Sequence, residues 1–337
     1  MTKPALLTFF VLLLFGTVSV AGPLEEISHR DKLYAITARG DDVFVTGYPG
    51  LLLVSRDRGK SFQAIDPGTR NALFSIDISA SGRGVIVGRG GMVLVTDDGG
   101  KSWQHKKSGV HEHLFGVALT PAGNAWAVGN FGTIIHSPNG GESWQTQEYD
   151  ASPPATEEGS GGAVSTAEEE NQGAAGEARL NAVAFAGEQQ GWIVGEFGMV
   201  LHTADGGSSW KRQPSASGKL LFCLLALDSD RVLAAGSEGT LMETSDGGLH
   251  WRLVHTGLSE HILGLWQQGS SLFLVGRDGL ILRRGKDGRF EHLRSGLYTW
   301  LNAVRFLDAR LGFAVGGRGY LLQTTDGGES WRRLSGG

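Results

Sequence analysis

The chain has 337 residues, a formal net charge of −5 and one cysteine, which excludes an intrachain disulfide framework and gives no basic surface for bulk nucleic-acid binding. A hydrophobic share of 40%, with 9 tryptophans and 15 phenylalanines, is enough for a packed core. Glycine is the outlier: 53 residues against 9 prolines, without collagen's three-residue period, mark a chain of many tight turns.

The first element, residues 1–22, has the form of a secretory signal peptide. Lys3 gives a short positive start, Ala5 to Val18 is an apolar run, and Ser19-Val20-Ala21 offers small residues for cleavage after Ala21 or Gly22. The run is shorter than the roughly 20 residues that span a bilayer. No cysteine lies near the cleavage point, so lipid attachment there is excluded, and no later segment has the length and apolarity of a membrane span. The expectation is a mature chain of residues 23–337, periplasmic or secreted, without direct membrane insertion.

From Leu33 onward the chain is a repeat. A Val/Ala-Gly-x-x-Gly element recurs seven times, its last glycines at 50, 91, 132, 198, 239, 279 and 319; the first copy carries one extra residue. Successive copies are 40 or 41 residues apart except across one interval of 66. After each comes Ser/Thr-x-Asp-x-Gly-x-x-aromatic. Good copies run from Thr96 to Trp103, Thr203 to Trp210, Thr244 to Trp251 and Thr324 to Trp331; Ser55 to Phe62, with Asp57, is close. Ser137 to Trp144 carries Asn139 in place of aspartate, and the sixth copy, Arg284 to Phe290, is degenerate.

Asp followed by Gly is a turn signal, because the carboxylate bonds downstream backbone N–H groups and glycine accepts a positive φ. The aromatic then opens a strand and wedges into a packed interface. Each repeat reads as four short strands; in the third these are Leu114–Thr120, Asn124–Gly129, Thr133–Ser137 and Ser143–Gln147. Four-stranded units of about 40 residues are propeller blades. The predicted fold is therefore all-β, a seven-bladed β-propeller with four antiparallel strands per blade and no helix. Leu24 to Asp31 are the candidates to close the ring on the last blade.

The long interval holds an insertion at about residues 148–178. It has Asp150 and six glutamates between residues 150 and 178, no Lys or Arg there, and no apolar periodicity. Such a segment buries too little surface to offset its ordering entropy and is expected to be a disordered acidic loop. It falls on the face that carries Arg89 and Arg318, which it is placed to screen.

The eight-residue motif resembles the Asp-box, or bacterial neuraminidase repeat. The fuller unit from Gly191 to Trp210 is similar to the photosystem II stability/assembly factor-like propellers, and that resemblance covers essentially the whole mature chain. It implies an assembly or accessory factor, without cofactor, for a membrane or envelope protein complex; some relatives are encoded beside RND-type transporters, which suggests such a transporter as partner. Asp-boxes also occur in sialidases and xyloglucanase-type glycoside hydrolases. In those families the box is a structural turn remote from catalysis. Asp57, Asp98, Asn139, Asp205, Asp246 and Asp326, with Trp103, Trp144, Trp210, Trp251 and Trp331, are accordingly assigned to turn architecture and packing.

A propeller sorts its loops onto two faces. The box turns join strands three and four. The Val-Gly-x-x-Gly turns join strands two and three, and share the other face with the links between blades. That second, link face carries the candidate partner-binding residues Arg70, Arg89, Phe131, Phe197, Arg277, Arg318, Tyr298 and Trp300, with Tyr48, Asn130, Glu196, Glu238 and Asp278 on the same turns. Arginine and large aromatics on loops of one face fit protein docking; the competing reading is scattered solvated loop residues. His111-Glu112-His113 lacks reliable ligand spacing, and no metal site is assigned. His136 and His202 recur at one place on strand three, which indicates packing, and Cys223 in an apolar strand reads as a small buried hydrophobe. No catalytic residue is assigned. The alternative is a glycoside hydrolase using two of Glu196, Glu238 and Asp278, or a carbohydrate-binding propeller.

Overall fold

The structure, a computed structural model, describes Leu24, residues 27–152 and residues 177–337. Residues 1–22, the expected signal segment, lie outside these described residues, as does most of the acidic insertion. Seven four-stranded antiparallel sheets follow in chain order, each built from consecutive strands. In blade 3 they are Leu114–Leu119, Ala125–Gly129, Ile134–Ser137 and Gln145–Gln147, within two residues of the ranges expected from the repeat. No α-helix occurs among the described residues; two single 3₁₀ turns, Glu196–Gly198 and Arg277–Gly279, are link-face turns. None of the described helices is long and apolar enough to cross a membrane.

The first strands of the blades contact one another in a closed ring, from Lys32–Arg39 of blade 1 to Leu301–Phe306 of blade 7 and back. Second strands are buried on both sides, as in Gly84–Gly88 and Gly312–Gly316, because each blade is sandwiched between two others. Fourth strands form the exposed rim, as at Gln63–Ala64 and Arg252–Leu253. The core is divided accordingly into seven apolar clusters, one at every seam.

Among the described residues, ring closure uses no exchanged strand. Leu24 and Ile27 pack on the cluster between blades 7 and 1, and a side chain at Gly319 would meet Ser28 O at 2.8 Å, much as one at Gly50 would meet Thr69 O at 1.9 Å. The N-terminal segment thus stands where the other blades have an interblade link. Lys32 bridges Gly317, Asn302 donates to Tyr34 O at 2.5 Å, and Arg58 pairs with Asp308 across the same seam.

The Asp-boxes are hydrogen-bonded turns. In blade 4, Asp205 accepts from Ser209 N (2.9 Å), Ser209 Oγ (2.7 Å) and Thr203 Oγ1 (2.7 Å), while Thr203 Oγ1 accepts from Gly207 N (2.8 Å). Asn139 keeps the frame in blade 3: its oxygen accepts from Ser143 N (3.0 Å), and its amide donates to Ser143 Oγ (3.0 Å) where a carboxylate would accept. The Ser209 hydroxyl, then the Ser209 N–H and the Thr203 hydroxyl, hold the Asp205 carboxyl down at about 2. A carboxyl depressed by folding stabilises the fold above its unfolded value, about pH 4, and that contribution disappears as pH falls through about 2. Asp205→Ala is expected to cost about 2 kcal/mol at pH 7 and to flatten stability between those pH values. Asp205→Asn should cost less, since blade 3 accommodates the amide. Denaturant unfolding at pH 7 and pH 3 checks both.

The insertion is anchored at both ends. Tyr149 and Ala151 pack on the cluster between blades 3 and 4, Asp150 bridges Lys211 and its N–H donates to Trp210 O at 3.0 Å, and Ala178 is buried. Residues 153–176 lie outside the described residues.

Candidate functional site

The link face is built from seven similar corners. In blades 1 to 6 the last turn glycine meets the link that leaves the same blade, and in blade 7 Gly319 meets the N-terminal segment; in blade 2, Gly91 N donates to Glu112 O at 2.7 Å, and a Cβ there would lie 2.0 Å from Val110 O. The preceding glycine, Gly88, is equally crowded, 2.1 Å from Ala72 O. The two glycines let turn and link share one layer, and the two residues between them are pushed outward.

Five of those outward residues are non-glycine in the left-handed region: Phe131 (φ 51°), Phe197 (56°), Glu238 (53°), Asp278 (56°) and Arg318 (59°). A side chain in that region costs on the order of 1–2 kcal/mol, and the neighbouring close contacts hold it there. Phe131 and Phe197 are 69% and 42% exposed, and Tyr298, on the link after blade 6, is 96% exposed. With Tyr48, four of the six exposed large hydrophobics among the described residues lie on this face. Phe131→Gly should leave stability nearly unchanged, because relief of strain offsets the roughly 0.5–1 kcal/mol of added chain entropy, while weakening any partner docked there. Paired unfolding and binding curves test this.

Arg70, Arg89, Arg277 and Arg318 are all exposed. The ion pairs of this face are Arg179–Glu196 and Lys219–Glu238 (2.6 Å), and the four arginines enter neither. Glu196 and Glu238 are thereby each committed to a cation of their own blade, and the Lys219 hydrogen bond lowers the Glu238 carboxyl below its usual range. Glu238 is thus shifted away from the raised, proton-donating acid that glycoside hydrolysis requires. Among the described residues no group of three metal-ligating side chains is gathered. His111 is exposed, whereas the His113 ring sits between Phe74 and Phe115 at 6.3 and 6.2 Å and accepts from Gly90 N at 3.2 Å.

Trp300 is turned inward, unlike the other candidate residues of this face. It stacks on Tyr34 at 5.9 Å, and Tyr34 continues through Phe74 (5.2 Å) to Phe115 (5.3 Å). These rings are the bulge residues of the inner strands. The register slips around Tyr34, Phe74, Asn181, Phe222, Leu263 and Asn302, and opposite Gly129 in blade 3, where Phe115 is the extra residue. A bulge re-aims its side chain, so one residue per blade surrounds the link-face mouth of the central ring. Sequence reasoning missed this ring, although its signal is present: each directly follows a buried Leu or Ile at the start of the inner strand, as the third residue in blade 1 and the second in the other six.

Deeper in the ring are Asp77 and Arg305. Asp77 accepts from Leu119 N (2.9 Å) and Ile78 N (2.8 Å), and burial raises its carboxyl. The Arg305 guanidinium lies 3.9 Å from the Trp266 ring centre and is lowered by burial. His136 and His202 are packing residues, stacked on Trp126 and tilted against Trp192, and burial lowers both. Burial pushes the Cys223 thiol up to about 12, which leaves it an unreactive apolar filler.

Known proteins share this sequence pattern and architecture. Residues 61–158 and 151–221 match the family described as photosynthesis system II assembly factor YCF48. The photosystem II assembly lipoprotein Ycf48 of Synechococcus sp. (strain CC9902) is 26% identical over 204 residues, covering 45% of this chain and 61% of that protein, so the match spans less than two thirds of the relative's length. A structure of YCF48 bound to D1 peptide superposes with a TM-score of 0.66 at 16% identity, covering 88% of this chain and 92% of that one. An ancestral GH74 enzyme superposes at 0.64 and 15% identity, covering 93% of this chain and 47% of that one. At these identities the two superpositions establish the fold alone.

Proposed function

We propose that this chain, which belongs to the photosystem II stability/assembly factor-like propeller family with Asp-box repeats, is an exported, non-catalytic docking protein that assists assembly of a membrane or envelope protein complex. The observation that carries this reading is the composition of the link face: outward Phe131, Phe197 and Tyr298 beside four exposed arginines that enter no ion pair with the described residues. Rigid aromatic anchors with guanidinium forks are the groups that dominate protein–protein affinity. The relative whose structure holds a D1 peptide supports a membrane-protein segment as the bound object. An RND-type transporter is the finer proposal for the partner, and residues 1–22 acting as a signal peptide would deliver the chain to the periplasm. The acidic insertion, which leaves and re-enters between blades 3 and 4, is proposed to screen the arginines until a partner displaces it.

The test is affinity capture from detergent-solubilised envelope with the parent chain and with an Arg89→Ala/Arg277→Ala/Arg318→Ala variant. The reading expects a membrane protein retained by the parent and lost from the variant. Equal capture by both would refute the face assignment. Cleavage of a β-glucan or sialoside that depends on Glu196 or Asp278 would replace it with the hydrolase reading, which the GH74 superposition supports at the level of fold.

A further inference from the structure

Six of the seven Asp-box turns seal a seam. The second box glycine lies hard against the preceding blade: a Cβ at Gly59 would meet Phe313 at 2.2 Å, at Gly100 Phe44 at 2.5 Å, at Gly141 Val95 at 2.7 Å, at Gly207 Trp126 at 2.4 Å, at Gly248 Gln213 at 2.1 Å and at Gly328 Phe273 at 2.5 Å. Blade 6 has lost its box. Its strands Ile281–Arg284 and Phe290–Leu293 are joined by residues 285–289, two fewer than the seven of the regular box, and a Cβ at Gly288 would meet nothing within 4 Å. At the second-strand position where blades 1, 3, 4, 6 and 7 place Phe44, Trp126, Trp192, Phe273 and Phe313, blade 5 places Leu233 and blade 2 places Val85.

The seam between blades 5 and 6 is consequently open on the box face. A groove of about 580 Å³ runs along it, floored by Leu233, and continues into a hollow of about 370 Å³ that shares Glu243, Arg252, Gln267 and Arg284. Its charge is mainly positive. Arg231 and Arg252 line it from blade 5, and Arg284 and Lys286 from blade 6. Both of its carboxylates are already engaged: Glu243 accepts from Arg252 and from Arg284 (2.9 Å), and Asp246 accepts from Thr244 Oγ1 (2.7 Å) and His250 N (3.0 Å). The Arg252 and Arg284 guanidinium groups each have five N–H donors and spend one bond on Glu243, and Arg231 Nε bonds Asp228 at 2.7 Å, so further donors remain for an incoming acid. Leu249, on the adjoining hairpin turn, is 67% exposed, whereas Leu253, paired with Met242 of the seam between blades 4 and 5, faces away from the groove.

We infer that this groove is a second binding site, for an acidic peptide segment that carries alternating apolar residues, on the face opposite the proposed docking surface. Carboxylates of the segment pair with Arg252 and Arg284, and apolar side chains lie on Leu233 in the floor and Leu249 at the rim. A sugar acid would share the charge but lacks a stacking platform, because the single indole of the lining, Trp251, is packed into the cluster between blades 4 and 5. The site does not depend on the link-face reading.

The test is fluorescence anisotropy of the full chain at low salt with a labelled eight-residue peptide of alternating Glu and Leu, compared with hexaglutamate and an oligogalacturonate. The peptide should bind saturably and more tightly than either comparison. Arg252→Glu, on an exposed rim strand, and Arg284→Ala should each weaken it at least ten-fold, whereas Arg89→Ala should change nothing. Leu233→Trp, which restores the side chain of blades 3 and 4 and fills the floor, should abolish binding in a chain that unfolds no earlier than the parent. Absence of peptide binding, affinity unchanged in Arg252→Glu and Arg284→Ala, a loss in Arg89→Ala, or preference for the oligogalacturonate overturns the assignment.

Discussion

Trp210→Ala is expected to lower the unfolding free energy by about 3–5 kcal/mol, the cost of emptying a large buried aromatic site. Trp210 is 2% exposed and closes the cluster between blades 3 and 4. Its ring meets Phe185 edge-on at 5.8 Å, its Nε1 donates to Gln147 Oε1 at 3.4 Å, and its carbonyl holds Asp150 N. One substitution therefore opens a seam, leaves the Gln147 oxygen without its donor and removes a ring from the cluster on which Tyr149 and Ala151 pack, although the backbone carbonyl remains. A native domain has about 5–15 kcal/mol to lose, so folding yield should fall visibly. Trp103 occupies the same box position but is only partly buried, and Trp103→Ala should cost clearly less. A loss below about 1 kcal/mol for Trp210→Ala, measured by denaturant unfolding, would contradict the seam as the unit of stability.

The second large effect is on binding. Arg89→Ala, Arg318→Ala and Tyr298→Ala should each remove about 1–3 kcal/mol of partner affinity, roughly a five- to 150-fold loss, if they lie at the centre of the interface. Stability should move by no more than about 0.5 kcal/mol, because all three are exposed. Trp300→Ala is expected to behave differently, losing stability together with affinity, since its ring supports Tyr34 and the aromatic arc. The readout is a titration of each variant against the membrane protein recovered by affinity capture.

Much of the fold is legible from phased glycines and box aromatics, because those residues answer to local geometry: Gly88 and Gly91 stand where backbone meets backbone, and Asp205 folds its own turn. The strands of blade 3 follow within two residues. The sorting of turns onto two faces is equally visible, since it needs only the strand count. What the sequence hides is relational. A bulge is an event between two strands, so the outward turn of Phe74 and Phe115 is invisible to a period of two. Trp300 reads as a loop residue, yet the ring gives it Tyr34 as a neighbour 266 positions away in sequence. The degenerate sixth box is plain in the sequence. Its consequence, an open seam, depends on what the other six boxes press against.

Site-specific photo-crosslinking in the intact envelope tests the central claim most directly. A photoreactive residue at Tyr298 or Phe131 samples the link face, and one at Ser61 or Ser102 samples intact box turns on the opposite face. The account predicts a covalent adduct with an integral membrane protein from Tyr298 and Phe131 and none from Ser61 or Ser102. Membrane-protein adducts from the box positions alone, or from all four positions equally, would contradict it.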